Sequence, residues 1–434
     1  MDIKRYNQTL FSFLHSSPTP FHAVENIESS LLDHGFIKLS EKEQWSLQNG
    51  RSYFVQREKA AIIAFTLGHD EKREDGFRIL GCHTDSPGLL VKPQADIRTD
   101  SFQQLAVEVY GGALLYTWFD RDLTMAGRVC YATRNDDIEQ ILINFKRPLL
   151  YIPSIAIHFN REANKNSSID KQKQLSPIIS HIIDQQLPDF ESFLIEQITR
   201  EYPDAAPANI LSFDIFCQDT QRPCFTGYNN EFISASRLDN LLSCHAGLAA
   251  ITNADKRLNH LLFCANHEEN GSISSTGADG SFIDAVFERI IPECEARRIA
   301  FARSFLLSMD NSHATHPNFH TKSDQNHLID LNKGPVIKIN ANQRYATSAL
   351  SSALFKKLCD DIKIPYQQFV MRNDMPCGST IGPITAAHLG IKTIDIGAPT
   401  LAMHSIREHT GSNDPFLLYQ TITRFLKSNY HQRL

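Results

Sequence analysis

The chain has 434 residues, 42% of them apolar, and a net charge of −6. That length and apolar content suit two or three domains, or one large domain with an insertion, around a sizeable core. The mild acidity and the lack of a basic block argue against nucleic acid or an anionic membrane as the main partner.

Nine cysteines are scattered without a CxxC pair. An odd number without metal-type spacing reads as reduced thiols of a cytoplasmic protein, not as a disulfide framework. Met1-Asp2-Ile3-Lys4-Arg5-Tyr6 lacks the apolar core of a signal peptide, and no apolar run is long enough to span a bilayer.

In chain order, residues 6–33 read as helical with a break at Ser16-Ser17-Pro18-Thr19-Pro20. Residues 60–67 and 78–82 read as short buried strands, the second running into His83-Thr84-Asp85. From about 93 to 234 the texture changes. The alternation of residues 105–110 and 127–132 predicts antiparallel strands, with a turn marked by Gly111-Gly112. Residues 164–174 read as loop, 178–200 as helix and 210–218 as strand. This stretch is read as a β-rich insertion interrupting a domain made of 1–92 and 235–434.

After residue 235 helices and strands alternate. Helices are expected at 238–252, 282–291, 349–362, 381–389 and 415–430, and strands at 261–265, 305–309, 336–339, 368–370 and 392–396. Such alternation predicts an α/β fold with a mostly parallel sheet covered by helices.

The chemistry collects where the apolar runs end. The strand at 78–82 ends at His83, that at 261–265 near Glu268-Glu269, and that at 305–309 at Asp310. Ser236-Arg237-Leu238 leads into Asp239, and the run at 394–396 leads through a proline loop to His404. In open α/β sheets, sites form beyond the carboxyl ends of the strands, so these distant residues are expected to meet. Two histidines with carboxylates suit a pair of divalent first-row cations, zinc by default. Of the adjacent acids, one would bind an ion and the other would take a proton from the attacking water. The plainer alternatives are a solvated acidic loop for Glu268-Glu269 and a helix N-cap for Asp239.

His83-Thr-Asp-Ser-Pro87, Ser236-Arg-Leu-Asp-Asn240, His267-Glu-Glu269 and Met403-His-Ser-Ile-Arg-Glu408 together resemble the aspartyl aminopeptidase family, dinuclear zinc exopeptidases. Trp118–Leu123, Ile157–Arg161, Gly334–Lys338, Gln343–Tyr345 and Pro376–Pro383 fit the same family. The resemblance implies a zinc-exopeptidase-like catalytic domain with an inserted dimerisation domain. It implies that His83 and His404 bind different ions, that Asp239 bridges them, and that Glu269 and Asp310 complete the two shells. Glu268 would be general base and acid, and Asp85 would orient His83. His313 would face the substrate, alongside Glu268 and Asp310, and His158 would reach a neighbouring subunit's site. Peptides with N-terminal Asp or Glu would be the substrates, and the assembly a homododecamer.

Lys338 lies on a β-branched strand otherwise fit for burial. Such an ammonium snorkels to solvent, pairs with a protein acid, or awaits an anionic ligand. The family position implies the last, with Lys338 meeting the substrate's acidic side chain. The alternatives are a broader-specificity metallo-aminopeptidase, a related metallo-deacylase, or an inactive oligomeric scaffold.

Overall fold

The computed structural model describes residues 2–99, 101–135, 137–166, 168–182 and 188–429. The chain divides into two compact units, one of residues 1–85, 223–403 and 408–434, the other of 86–222 and 404–407.

The first unit is built on a nine-stranded sheet. Its order is Ile37–Lys38, Ser52–Arg57, Ala61–Thr66, His260–Ala265, Arg78–His83, Phe305–Met309, Lys392–Gly397, Val336–Ile339, Gln367–Val370. The four central strands, from His260–Ala265 to Lys392–Gly397, run parallel. The segments that add Ala61–Thr66 and Val336–Ile339 are antiparallel. The expected α/β architecture is therefore present, with its parallel stretch at the middle of the sheet.

Both faces are covered, which is why the central strands read as unbroken apolar runs and not as alternating ones. On one face, the helix Leu238–Thr252 joins Leu10, Leu14, Val24, Leu80, Leu262, Ile394, Leu418 and Phe425 in a single core. On the other, Ile79, Leu261, Phe263, Phe282, Phe287 and Ile381 form a second core. A five-stranded sheet of Cys224–Thr226, Phe232–Ala235, Glu408–Gly411, Pro399–Leu401 and Ser312–His313 completes this unit. Its strands are too short for a periodic signal, and sequence reading misses the sheet.

The second unit is a six-stranded antiparallel sheet, ordered Ile138–Asn144, Leu123–Thr133, Pro207–Asp219, Gly88–Arg98, Phe102–Tyr110, Ile178–His181. The helix Phe190–Glu201 buries Phe190, Leu194 and Ile198 in this unit's core. The unit begins at Ser86, not 93, because Gly88–Arg98 pairs with Phe102–Tyr110 and Pro207–Asp219. At its other end, Phe232–Ala235 pairs with Glu408–Gly411 in the first unit, so the limit falls at Arg222 and not at 234.

Two local expectations are corrected. Residues 178–181 form a strand paired with Phe102–Gln104, so the helix expected over 178–200 starts only at Phe190; residues 183–187 of that expectation lie outside the described residues. Gly111-Gly112 does not join a hairpin, since the strands on either side of it pair with other partners. The closing helix spans Asp414–Leu426, and position 430 lies outside the described residues.

Arg78, at the start of the central strand, is wholly buried and holds the chain's far end. Its guanidinium donates to both oxygens of Glu71 at 3.0 and 3.1 Å and to the Ser428 carbonyl at 2.6 Å. Glu71 also accepts the Asn259 N–H at 2.6 Å. Removing one partner of a buried pair strands the other charge, at about 3–5 kcal/mol. Arg78→Met should lower unfolding stability by about that much, and adding Glu71→Gln should recover part of it. Chemical denaturation of both variants checks this, and an Arg78→Met protein as stable as the parent refutes it.

Candidate metal centre

The carboxyl ends of three of the four central strands supply much of the site. Arg78–His83 delivers His83 as its last residue. Beyond Ala265, His267 adopts a left-handed conformation (φ 59°, ψ 23°), and the chain turns into a short 3-10 helix, Glu268–Asn270. Such a backbone is uncommon for a residue with a side chain, and here it turns two acids back toward His83. Phe305–Met309 delivers Asp310, whose N–H donates to the Ile396 carbonyl at 2.8 Å. Gly397 permits that approach, since a Cβ there would lie 1.9 Å from the Asp310 carbonyl oxygen.

Asp239 enters from the start of the helix Leu238–Thr252. Asp239 and Asn240 have non-helical backbone angles, and the peptide bond between them is cis. Asn240 Nδ2 donates to the Met309 carbonyl at 2.8 Å, tying this turn to the strand that carries Asp310. The Asp239 N–H donates to Glu408 at 2.9 Å. Glu408 is itself buried and stands beside Ala235 in the small sheet. Sequence reading gave Glu408 no role, although it lies within a quoted motif.

His83 sits among acids. Its Nε2 lies 3.5 Å from Asp239, 3.6 Å from Asp310 and 3.9 Å from Glu268. Its Nδ1 lies 3.0 Å from the Asp85 carbonyl and 3.4 Å from the Asp85 carboxylate. That carboxylate also accepts the N–H groups of Glu268 and Glu269, at 3.2 and 3.1 Å. Asp85 thus contacts the histidine and holds the Glu-Glu turn in place.

Among the described residues of the first unit, two sets of imidazole and carboxylate donor atoms lie within 4.8 Å of one another: His83 with Glu268 and Glu269, and His83 with Asp239 and Asp310. Burial opposes a charged His83 ring, but Asp239, Asp310 and Asp85 outweigh it and raise its pKa well above the usual value. Burial, then the acids Asp310, Asp85 and Asp239, push Glu268 up to about 8. Burial and Asp239 raise Glu269 well above its usual range. Burial works in the same direction on Asp310, but Lys338 and then His83 override it and hold Asp310 well below that range.

The donor set fits a metal. Asp85, Asp239, Glu268, Glu269 and Asp310 converge around His83, and the Lys338 ammonium reaches one of them, Asp310, so the cluster is short of positive charge. Carboxylates with imidazole are the ligands that zinc and similar divalent cations take.

Lys338 is 3% exposed. Its ammonium donates to Asp310 Oδ2 at 3.0 Å, the Asp310 carbonyl at 3.1 Å and the Asn311 carbonyl at 3.0 Å, with the Tyr345 ring 5.0 Å away. All three of its N–H groups are thereby used. Of the fates open to Lys338 from sequence, pairing with a protein acid is the one observed.

His313, His404 and His158 complete the set of expected residues. His313 is exposed on the short strand Ser312–His313, its ring edge-on to Phe369 at 5.8 Å. His404 groups with the second unit, where its Nδ1 lies 3.2 Å from the Gly112 carbonyl. His158 belongs to that unit too, in an exposed stretch without helix or strand.

Acids and a histidine gathered at the carboxyl ends of parallel strands lie where an open α/β sheet places its site, and their ligand types suit a metal-dependent hydrolase. Residues 13–426 match the model of the aminopeptidase I zinc metalloprotease (M18) family, and the chain belongs to that family. A probable M18 family aminopeptidase 2 of Stutzerimonas stutzeri is 49% identical over 422 residues, covering 97% of this chain and 98% of the relative. One of Pseudomonas aeruginosa is 48% identical over 423 residues, with 98% of each covered. Among solved structures, Ape4 in complex with Nbr1 superposes with a TM-score of 0.95 at 36% identity, covering 99% of this chain and 87% of that one. The S. cerevisiae mApe1 dodecamer superposes with a TM-score of 0.85 at 27% identity, over 98% and 97%. The protein is an M18 zinc metallo-aminopeptidase.

Proposed function

We propose that this aminopeptidase removes N-terminal Asp and Glu from peptides with two divalent cations, zinc by default, and with Glu268 as the proton carrier. The observation that carries the reading is the convergence of His83, Asp239, Glu268, Glu269 and Asp310 within coordination reach. His83, Asp239, Glu269, Asp310 and His404 would hold the ions, with Asp239 as the ligand common to both. The cations supply Lewis acidity, polarising the scissile carbonyl and lowering the pKa of water. Glu268 takes the proton as water attacks and returns it to the leaving amine. Asp85 positions both His83 and the backbone of Glu268. His313 lies on the substrate side.

The acidic preference rests on Lys338, the ammonium bonded into the cluster. A substrate carboxylate would displace one of the three acceptors that fill its N–H groups, the Asp310 carboxylate or the carbonyls of Asp310 and Asn311. A charged hydrogen bond of that kind is worth about 1.5–3 kcal/mol, or about 10- to 150-fold in kcat/KM. Hydrolysis of Asp-, Glu- and neutral-residue anilides, with and without chelator, tests the whole reading. Acidic substrates should be preferred, chelation should abolish turnover, and Lys338→Met should slow the acidic ones by that factor while sparing the neutral one. Equal losses on both would assign Lys338 to Asp310 alone. A preference for neutral residues in the parent enzyme would favour the broader-specificity reading.

We place the protein in the cytoplasm as a homododecamer. All nine cysteines are free thiols. Among the described residues, no helix is long and apolar enough to cross a membrane. Ile155, Ile157 and Phe159, flanking His158, are 62%, 48% and 83% exposed, an apolar surface suited to a second copy. His158 would then complete a neighbour's site. Mixed oligomers of His158→Ala and Glu268→Gln subunits should regain activity that neither has alone. Silence after verified subunit exchange would count against a shared site.

A further inference from the structure

Directly behind His83, three thiols meet in the core. Cys82 precedes His83 on the central strand, Cys264 is its register partner on the adjacent parallel strand, and Cys244 comes from the helix Leu238–Thr252. All three are 0% exposed. Their sulfur atoms lie within 4.8 Å of one another, with Cys82 and Cys264 at 3.4 Å. Cys244 Sγ donates to the His83 carbonyl at 3.0 Å. Buried cysteines ordinarily pack as small apolar side chains, and Cys217 and Cys359 do so here, away from this cluster. Three sulfurs from three elements converging on one point is a different arrangement, since it presents a soft donor triangle.

We propose that Cys82, Cys244 and Cys264 bind one thiophilic divalent cation of the cadmium or mercury class, at a site distinct from the carboxylate cluster. Ligand softness separates the two sites. The carboxylates and imidazole suit zinc and harder ions, whereas an all-sulfur triangle selects softer ones. Charge selects the valence. Three thiolates around a divalent ion leave one negative charge, and around a monovalent ion they leave two, which costs more in an apolar interior. On binding, each S–H gives its proton to solvent as its S–M bond forms, and no electron is transferred. The Cys244 donor bond to the His83 carbonyl is lost in that exchange. Because Cys82 and His83 are neighbours in the chain, the ion disturbs the backbone that presents His83, so filling the site slows the peptidase.

Zinc-loaded enzyme, with its thiols kept reduced, is titrated with cadmium. The expected result is thiolate-to-cadmium charge-transfer absorption saturating at one ion per chain, with activity falling in step. Carboxylate and imidazole ligands give no such band. Cys244→Ser should weaken the band, and Cys294→Ser, at an exposed position, should leave it intact. Cadmium NMR of the unsubstituted enzyme needs no variant to fold, and should give a resonance in the range of three sulfur ligands. A signal confined to the oxygen and nitrogen range would overturn the site. So would a charge-transfer band unchanged in Cys244→Ser and Cys264→Ala.

Discussion

Glu268→Gln should keep its metal and lose about a hundred- to ten-thousand-fold in kcat, the contribution of a positioned general base. The substitution preserves the size of the side chain. It also preserves the backbone N–H that donates to Asp85 at 3.2 Å, so the turn carrying the residue has no reason to move. What it removes is the capacity to take a proton. Burial and the acids Asp310, Asp85 and Asp239 hold the Glu268 carboxyl up to about 8 before any cation is bound, and the charge of bound cations pulls it back toward the anion a base must be. An interaction made only as the proton moves appears in kcat and not in KM. Steady-state kinetics paired with metal analysis checks both halves. Near-normal turnover with full metal would take the proton-transfer role away from Glu268.

Asp239→Ala should lose bound metal as well as activity. Asp239 is 3% exposed, 3.5 Å from His83 Nε2, and fixed through its N–H on Glu408. A carboxylate shared by two cations offsets their mutual repulsion, so its removal weakens both sites together. A capping role predicts a different outcome, about 1 kcal/mol of stability and unchanged metal content. Its backbone, with φ −83° and ψ 107°, is of the non-helical kind that a capping residue also adopts, so backbone angles do not separate the two outcomes. Metal content and unfolding free energy measured on one preparation separate the two outcomes. Two tightly held ions in Asp239→Ala would end the bridging assignment.

The strand ends that carry His83, Glu268, Glu269 and Asp310 are legible in sequence because doubly covered strands are unbroken apolar runs, and polar residues mark where they stop. His-x-Asp also puts Asp85 beside His83, since alternate residues of an extended chain share a side. The contacts of Lys338 are not legible, because Asp310 and Asn311 reach it from a strand that is not its neighbour in the sheet. The same holds for Glu408 under Asp239, and for the three cysteines, whose meeting depends on register and helix packing. The helix Cys294–Arg303 escapes notice because only Ala300 and Phe301 are buried, too few for a periodic stripe.

The strand order sets a delay during synthesis. Arg78–His83 lies between His260–Ala265 and Phe305–Met309, so both its flanking strands are encoded far downstream. At about 5–20 residues per second, the ribosome needs roughly 9–35 s to travel from residue 83 to residue 260. The intervening residues 86–222 make up nearly all of the second unit, and they are translated before the first flank of Arg78–His83 emerges. For that interval a fully buried core strand bearing Arg78 and His83 lacks both of its neighbours in the sheet. Asp310 follows later still, so a peptidase being made among other nascent chains stays disarmed until most of its own length has left the ribosome.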